Sequence, residues 1–203
     1  MIGSEPWWLT LLKHLASALS RQRLGDLPPG SVSGTFTAEL GHMGDALGHE
    51  EKVERLRRAG QWAVSNPEWV AHDITGDGRA ETFCNRAARS VAEAMGCRDF
   101  EPTDNANMMQ AKMAGGWREV PAHEAAGLAM KGYLLMASVS WRPHGHICAV
   151  MPEPAQPSGS WGCDAPMVAH VGGGATPNGV VKASQAFLAA QRPALRFYCW
   201  GPQ

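Results

Sequence analysis

The chain has 203 residues, of which 44% are hydrophobic and 18% are charged, and its formal net charge is −1 at pH 7. This composition predicts a globular protein with a substantial core and no general attraction to nucleic acid or to an anionic membrane. The five cysteines are an odd number and lack the close spacing of a disulfide scaffold, and no CxxC pair offers a structural zinc motif. No apolar run is long enough to span a membrane, and the N-terminus lacks a secretory signal. We therefore expect cytoplasmic synthesis without a signal peptide.

The N-terminal third of the chain is predicted to be mainly helical. Residues 6–22 carry an apolar stripe at helical spacing, and residues 31–50 are typical of a loop. Residues 50–64 form a second predicted helix with a solvated charged face, and its inward positions are Val53, Leu56 and Ala59 or Ala63. We predict that residues 1–65 are a helical N-terminal extension packed on a core domain formed by residues 66–203.

Oxygen-bearing side chains recur just before the next predicted helix. Asp73, Thr75, Asp77 and Glu81 resemble the first nine positions of a calcium-binding loop. Cys84 occupies the twelfth position, where such loops carry a bidentate glutamate. The segment therefore predicts either a structural Ca²⁺ site with these four ligands or an Asp/Gly turn whose carboxylates cap the following helix.

Cys84 begins a segment with clear helical periodicity. Apolar residues at Ala87, Ala88, Val91 and Ala92 share one face. A thiol at a helix N-terminus can be stabilised as the thiolate, which is the nucleophilic form. Cys84 is therefore a candidate nucleophile, and the alternative is that it is a small buried core residue.

The remainder of the chain changes from a helical to a strand-like pattern. Helices are predicted over 103–113, with Met108, Met109 and Met113 towards the core, and over 121–131. Strands are predicted over 133–139, 146–151, 167–171 and 195–200. Helices followed by strands indicate an α+β domain with an antiparallel sheet.

Two histidines are placed at strand positions where they could act on the thiol. His146 opens the second predicted strand, and His170 lies on the third. A neutral imidazole can accept the thiol proton, and a second polar group can hold the ring in the required tautomer. His144 is an alternative to His146. We favour His146 because the apolar strand starts there and because Gly145 would allow a substrate backbone to approach.

Three short motifs resemble those of NlpC-like and CHAP cell-wall hydrolases, which belong to the papain-like superfamily. They are Glu-Thr-Phe-Cys-Asn around Cys84, Gly-His-Ile-Cys-Ala-Val around His146 and Pro-Met-Val-Ala-His-Val-Gly around His170. The resemblance covers about residues 66–200 and implies a papain-like fold with Cys84 as nucleophile, His146 as base and His170 as the orienting residue. Asp164 and Glu153 are the alternatives for the orienting role.

The resemblance also implies an activity, which is the hydrolysis of an amide bond in bacterial peptidoglycan by an amidase or endopeptidase. Phage endolysins and secreted antibacterial effectors have such domains, so export machinery or an inhibitory immunity protein is a candidate partner, and the enzyme would act on the wall after release. The chemistry requires no cofactor. The backbone N–H of Cys84 is one candidate oxyanion donor, and His72 or Thr82 could supply the second. The alternatives are a non-catalytic, calcium-stabilised structural or wall-binding module, and a transferase or protein-directed protease with the same dyad.

Overall fold

A computed structural model describes most of the chain beyond its N-terminal quarter, namely residues 48–74, 76, 81–142, 145–172 and 176–201. The chain divides into two compact units, Met1–Glu39 and Leu40–Gln203, and all described residues belong to the second. The predicted helix at 6–22 lies outside the described residues. Of the predicted N-terminal extension, the structure therefore describes the last helix and the residues next to it.

The described residues form five α-helices, and the predicted helices over 50–64, 103–113 and 121–131 are among them. The helices are α1 (His49–Ser65), α2 (Cys84–Ala94), α3 (Ala106–Gly116), α4 (Ala122–Ala129) and α5 (Ala183–Ala186). Two 3₁₀ turns, Pro67–Trp69 and Ala189–Ala194, complete the helical elements of this part of the chain.

Local sequence explains where these helices begin and end. Helix α1 has Glu50 and Glu51 in its first turn, where the helix dipole favours carboxylates, and it ends before Pro67. Helix α3 starts at Ala106 rather than at residue 103 because the Asn105 side chain accepts a hydrogen bond from the N–H of Met108.

The strands of the described residues form one six-stranded antiparallel sheet and a separate two-stranded hairpin. The sheet has the order β1-β8-β2-β3-β6-β7, and β4 pairs with β5. The strands are β1 (Arg118–Val120), β2 (Leu135–Val139), β3 (His146–Val150), β4 (Gln156–Ser158), β5 (Cys163–Ala165), β6 (Met167–His170), β7 (Gly179–Lys182) and β8 (Arg196–Cys199). The predicted α+β class with an antiparallel sheet is confirmed.

The core lies around the two central strands. Every residue of β2 is buried, and every residue of β3 except His146 is buried. Helix α2 packs against both α1 and β3, using the predicted stripe of Ala87, Ala88, Val91 and Ala92. This packing brings the N-terminus of α2, and therefore Cys84, against the strand that begins with His146.

Several structural details differ from the sequence-based expectations. Strands β1 and β7 were not predicted, because the first has three residues and the second is only partly buried along its length. The β4–β5 hairpin lies in a segment rich in Pro, Gly and Ser, over which no strand was predicted. Met109 and Met113 are buried as expected, but Met108 is 46% exposed, so its predicted inward orientation is wrong.

Within the described part of the chain, no helix combines the length and the apolarity that crossing a lipid bilayer requires.

Candidate active site

Cys84 is the first residue of α2, and its thiol is almost entirely enclosed. Its residue is 5% exposed, and the preceding Phe83 is also buried. The backbone N–H groups of Ile147 and Asn85 and the hydroxyl of Thr82 lie near enough to the sulfur to lower the pKa of the thiol. The nucleophile candidate therefore sits at a helix end, in contact with the backbone of the residue that follows His146.

Burial decides the protonation state of this thiol. Desolvation raises the pKa of Cys84 above its ordinary value, and the hydrogen bonds from Ile147, Asn85 and Thr82 lower it by less. The expectation that the helix N-terminus makes Cys84 a ready thiolate is therefore wrong for the resting protein. The reason is that the dipole acts on a group that packing has removed from water.

His146 and His170 are brought together by pairing of β3 with β6. The register places Ala149 opposite Ala169 and Val150 opposite Val168, so both histidines project from the same face of the sheet. His146 Nε2 lies 3.1 Å from His170 Nδ1, within hydrogen-bond distance. The contact between the two rings that an orienting role of His170 requires is therefore present.

A backbone carbonyl sets the direction of the hydrogen bonds between the rings. His170 Nε2 lies 3.3 Å from the carbonyl oxygen of Thr176, which can only accept, so Nε2 carries the proton. In its neutral form, His170 then presents an unprotonated Nδ1, which accepts from His146 Nε2–H. This leaves His146 Nδ1 as the unprotonated nitrogen, the form needed for a general base.

Both imidazoles are neutral in the resting protein. Burial, with a smaller contribution from the neighbouring His170, lowers the pKa of His146 from 6.5 to about 3. Burial also lowers the pKa of His170, and the carbonyl of Thr176 partly opposes this effect. Together with the protonated Cys84, these directions describe a neutral thiol beside a neutral base, without a preformed ion pair.

No hydrogen bond joins Cys84 to His146 among the contacts of the described side chains, so the two groups do not form a bonded dyad in this structure. Nucleophile–base contacts are often loose in unliganded enzymes and tighten when substrate binds. The structure places Cys84 beside β3 and joins His146 to His170.

The Cys148 thiol lies beside both histidines, and no role was assigned to it from the sequence. Its Sγ lies 3.3 Å from His146 Nε2 and 4.0 Å from His170 Nδ1, and the residue is fully buried. Burial, with the nearby Cys84 thiol as a second cause, raises the pKa of Cys148 well above its ordinary value. The strand alternation that puts Cys148 on the face of His146 was visible in the sequence and could have identified it.

Two asparagines hold the segments that carry the histidines. The Asn178 side chain donates to the carbonyl of Trp69 and accepts from the N–H of Gly172, two residues after His170. The Asn107 side chain, on α3, donates to the Trp141 carbonyl and accepts from the Trp141 N–H in the turn before His146. These long-range contacts had no signal in the sequence.

Glycines at this site leave room for neighbouring side chains. A Cβ on Gly172 would lie 2.7 Å from Cε1 of the His170 ring. A Cβ on Gly145 would lie 2.2 Å from Asn107 Oδ1 and 2.7 Å from the carbonyl oxygen of Val139. The absence of a side chain at Gly145 therefore allows α3 and β2 to approach closely. This packing explains the glycine without the expected approach of a substrate backbone.

The remaining candidates from the sequence are placed as follows. Thr75 and Asp77 lie outside the described residues, as does His144. Asp73 Oδ1 accepts from the N–H of Gly76, and Glu81 Oε2 accepts from the N–H of Ile74. A backbone hydrogen bond from Glu81 to His72 closes the loop between them. The calcium site with ligands Asp73, Thr75, Asp77 and Glu81 stays a prediction.

The alternatives for the orienting and oxyanion roles are also distinguishable by position. Asp164 is exposed on β5, and neither it nor Glu153 hydrogen-bonds His146 among the described contacts. His72 Nδ1 lies 2.7 Å from the carbonyl oxygen of Val70, whereas the Thr82 hydroxyl reaches the Cys84 thiol. His170 and Thr82 are therefore the candidates that the geometry favours.

A separate surface cleft of about 730 Å³ lies between α1 and α2 and includes none of Cys84, His146 and His170. It is lined by Arg55, Arg58 and Arg98 together with Glu51 and Glu93 and by the aromatic ring of Trp62, and by smaller side chains. Mixed charge of this kind is common on solvated helix faces, and we assign the cleft no chemistry.

Comparison of the chain with models of known protein families gives no match, and comparison with curated protein sequences gives no significant match either.

Proposed function

We propose that this protein is a papain-like cysteine hydrolase that cuts an amide bond of bacterial peptidoglycan. The observation that carries the proposal is the hydrogen-bonded series from the Thr176 carbonyl through His170 to His146, which opens the strand against which the Cys84 helix packs. Peptidoglycan as the substrate rests on the resemblance of the three motifs to NlpC-like and CHAP hydrolases.

The chemistry follows from the protonation states. Cys84 Sγ attacks the carbonyl carbon of the scissile amide while its proton moves to His146 Nδ1. Because burial keeps His146 neutral and the thiol protonated, proton transfer is coupled to the attack instead of preceding it. The imidazolium then returns the proton to the leaving amine, the C–N bond breaks, and a thioester with Cys84 remains.

Water completes the cycle. His146 Nδ1 removes a proton from the water that attacks the thioester, and the thiol is regenerated when the C–S bond breaks. His170 accepts from His146 Nε2–H throughout and stabilises the transient imidazolium. In this proposal, the N–H of Cys84 at the helix end and the Thr82 hydroxyl donate to the oxyanion of each tetrahedral intermediate.

The proposal is tested by mass spectrometry of purified peptidoglycan after digestion. The intact protein should release fragments with new amino and carboxyl ends, which identify the cleaved bond. Cys84→Ala and His146→Ala should each reduce the rate by about 10⁴-fold or more, since both act in one proton-transfer unit. Cys97→Ala is the matched control, because Cys97 is a buried cysteine just beyond the other end of α2.

Turnover by Cys84→Ala at a rate near that of the unmodified protein would refute the mechanism. Absence of any cleavage, combined with retained binding to the wall, would favour the non-catalytic wall-binding module instead.

The orienting role of His170 is tested separately. His170→Asn keeps an acceptor and should preserve much of the rate, whereas His170→Ala should lose about 10- to 10⁴-fold.

A further inference from the structure

Three potential metal ligands, one of which belongs to the proposed base, lie close together. They are His146 Nε2, His170 Nδ1 and Cys148 Sγ, which all lie within 4.8 Å of one another. They come from two adjacent strands, so the register of β3 and β6 fixes their separation. Cys148 and His170 are buried, while His146 is partly accessible and gives the group its contact with the outside.

The separations match the edges of a zinc coordination tetrahedron. With Zn–N bonds of about 2.0 to 2.1 Å and a Zn–S bond of about 2.3 Å, ideal tetrahedral geometry gives an N···N edge of about 3.3 Å and N···S edges of about 3.6 Å. The observed N···N distance is 3.1 Å, and the two N···S distances are 3.3 Å and 4.0 Å. Shifts of a few tenths of an ångström would therefore bring all three atoms into coordination distance.

We propose that His146, Cys148 and His170 bind Zn²⁺, and that this binding reversibly inhibits the protein. The site itself does not depend on the proposed hydrolytic function. The inhibition does rest on that function, because His146 serves both as the proposed base and as a ligand.

The ligand set has the chemistry that zinc requires. Two imidazole nitrogens and one thiolate leave a fourth tetrahedral position for water. His170 keeps its Nε2–H on the Thr176 carbonyl while Nδ1 binds the metal, which is the outer hydrogen bond that orients a histidine ligand. Binding releases one proton, from the Cys148 thiol to solvent, and the charge of the Zn²⁺ ion compensates for the buried thiolate.

Inhibition follows from the tautomer that zinc imposes on His146. Coordination through Nε2 moves the ring proton to Nδ1, the nitrogen that would otherwise accept the proton of Cys84. It also breaks the hydrogen bond between His146 and His170. A zinc-bound protein therefore lacks both the base and its orientation, and removal of the metal restores both.

The binding site is tested without substrate, on the full-length protein after treatment with a chelator. Titration with Co²⁺ should give a thiolate-to-cobalt charge-transfer band in the near ultraviolet at one equivalent, and Zn²⁺ should abolish the band. Loss of an outer-shell partner alone weakens metal binding by about 10- to 100-fold, so Cys148→Ala and His170→Ala should each lower the Zn²⁺ affinity by at least about 100-fold. Cys163→Ser is the matched control, because Cys163 is an exposed thiol. Absence of the band, or equal affinity of Cys148→Ala and the unmodified protein, would overturn the proposal.

The inhibition is measured as the ratio of hydrolysis rates with chelator and with Zn²⁺, taken within each variant. A large ratio for the unmodified protein and for Cys163→Ser, and a ratio near one for Cys148→Ala, would support it. Equal ratios in Cys148→Ala and the unmodified protein would overturn it. If no variant hydrolyses peptidoglycan, the proposed function fails and the inhibition fails with it, whereas the cobalt titration still decides whether the metal site exists.

Discussion

The buried neutral His146 should make the stability of the folded protein depend on pH. Its pKa is lowered from 6.5 to about 3, chiefly by burial and further by His170. Between these values the unfolded chain binds a proton that the folded protein does not bind. The contribution is therefore fully present above pH 6.5 and is lost as the pH falls towards 3.

The size of the effect follows from the shift. One pKa unit corresponds to about 1.4 kcal/mol, so lowering the pH from 7.5 to 4.5, two units below the unfolded value, should cost about 3 kcal/mol in the free energy of unfolding. Because marginal stability is of order 5 to 15 kcal/mol, this loss is measurable.

The assay is urea unfolding followed by tryptophan fluorescence at several pH values in the presence of a chelator. His146→Gln removes the titrating ring, and its unfolding free energy should fall by about 3 kcal/mol less than that of the unmodified protein over this range. His170 titrates in both proteins, so most of the difference comes from His146. His123→Gln is the control, because the His123 side chain is 80% exposed and gains no burial on folding. Parallel pH profiles of His146→Gln and the unmodified protein would refute the reasoning.

Three further outcomes are expected. Gly172→Ala should displace the His170 ring and lower the hydrolysis rate by about 10-fold or more, while circular dichroism shows that the fold is retained. Gly159→Ala is the control and should leave the rate unchanged, because a Cβ there meets nothing within 4 Å. Asp104→Ala should lower the free energy of unfolding by about 2 kcal/mol in urea titrations, because this carboxylate is 3% exposed and accepts from a lysine ammonium and a backbone N–H. Iodoacetamide at mildly acidic pH should modify the exposed Cys163 before the buried Cys84, and faster modification of Cys84 by peptide mapping would contradict the raised pKa.

The sequence determined the elements that carry the proposed chemistry, because their signals are local. A stripe of small apolar residues at helical spacing is enough to predict that a helix starts at Cys84, and the run after His146 is enough to predict a strand. The change from helical to strand-like patterns along the chain is likewise enough to predict the α+β class.

Only the tertiary structure decided how the side chains at these positions interact. The contact between His146 and His170 depends on the pairing of two strands separated by a hairpin, and local periodicity carries no information on that register. The raised pKa of Cys84 comes from desolvation by residues distant in sequence, so the helix dipole, which the sequence did reveal, gave the wrong direction. The same register places Cys148 beside His170, which lies 22 residues further along the chain. Local spacing relates Cys148 only to His146, two residues before it.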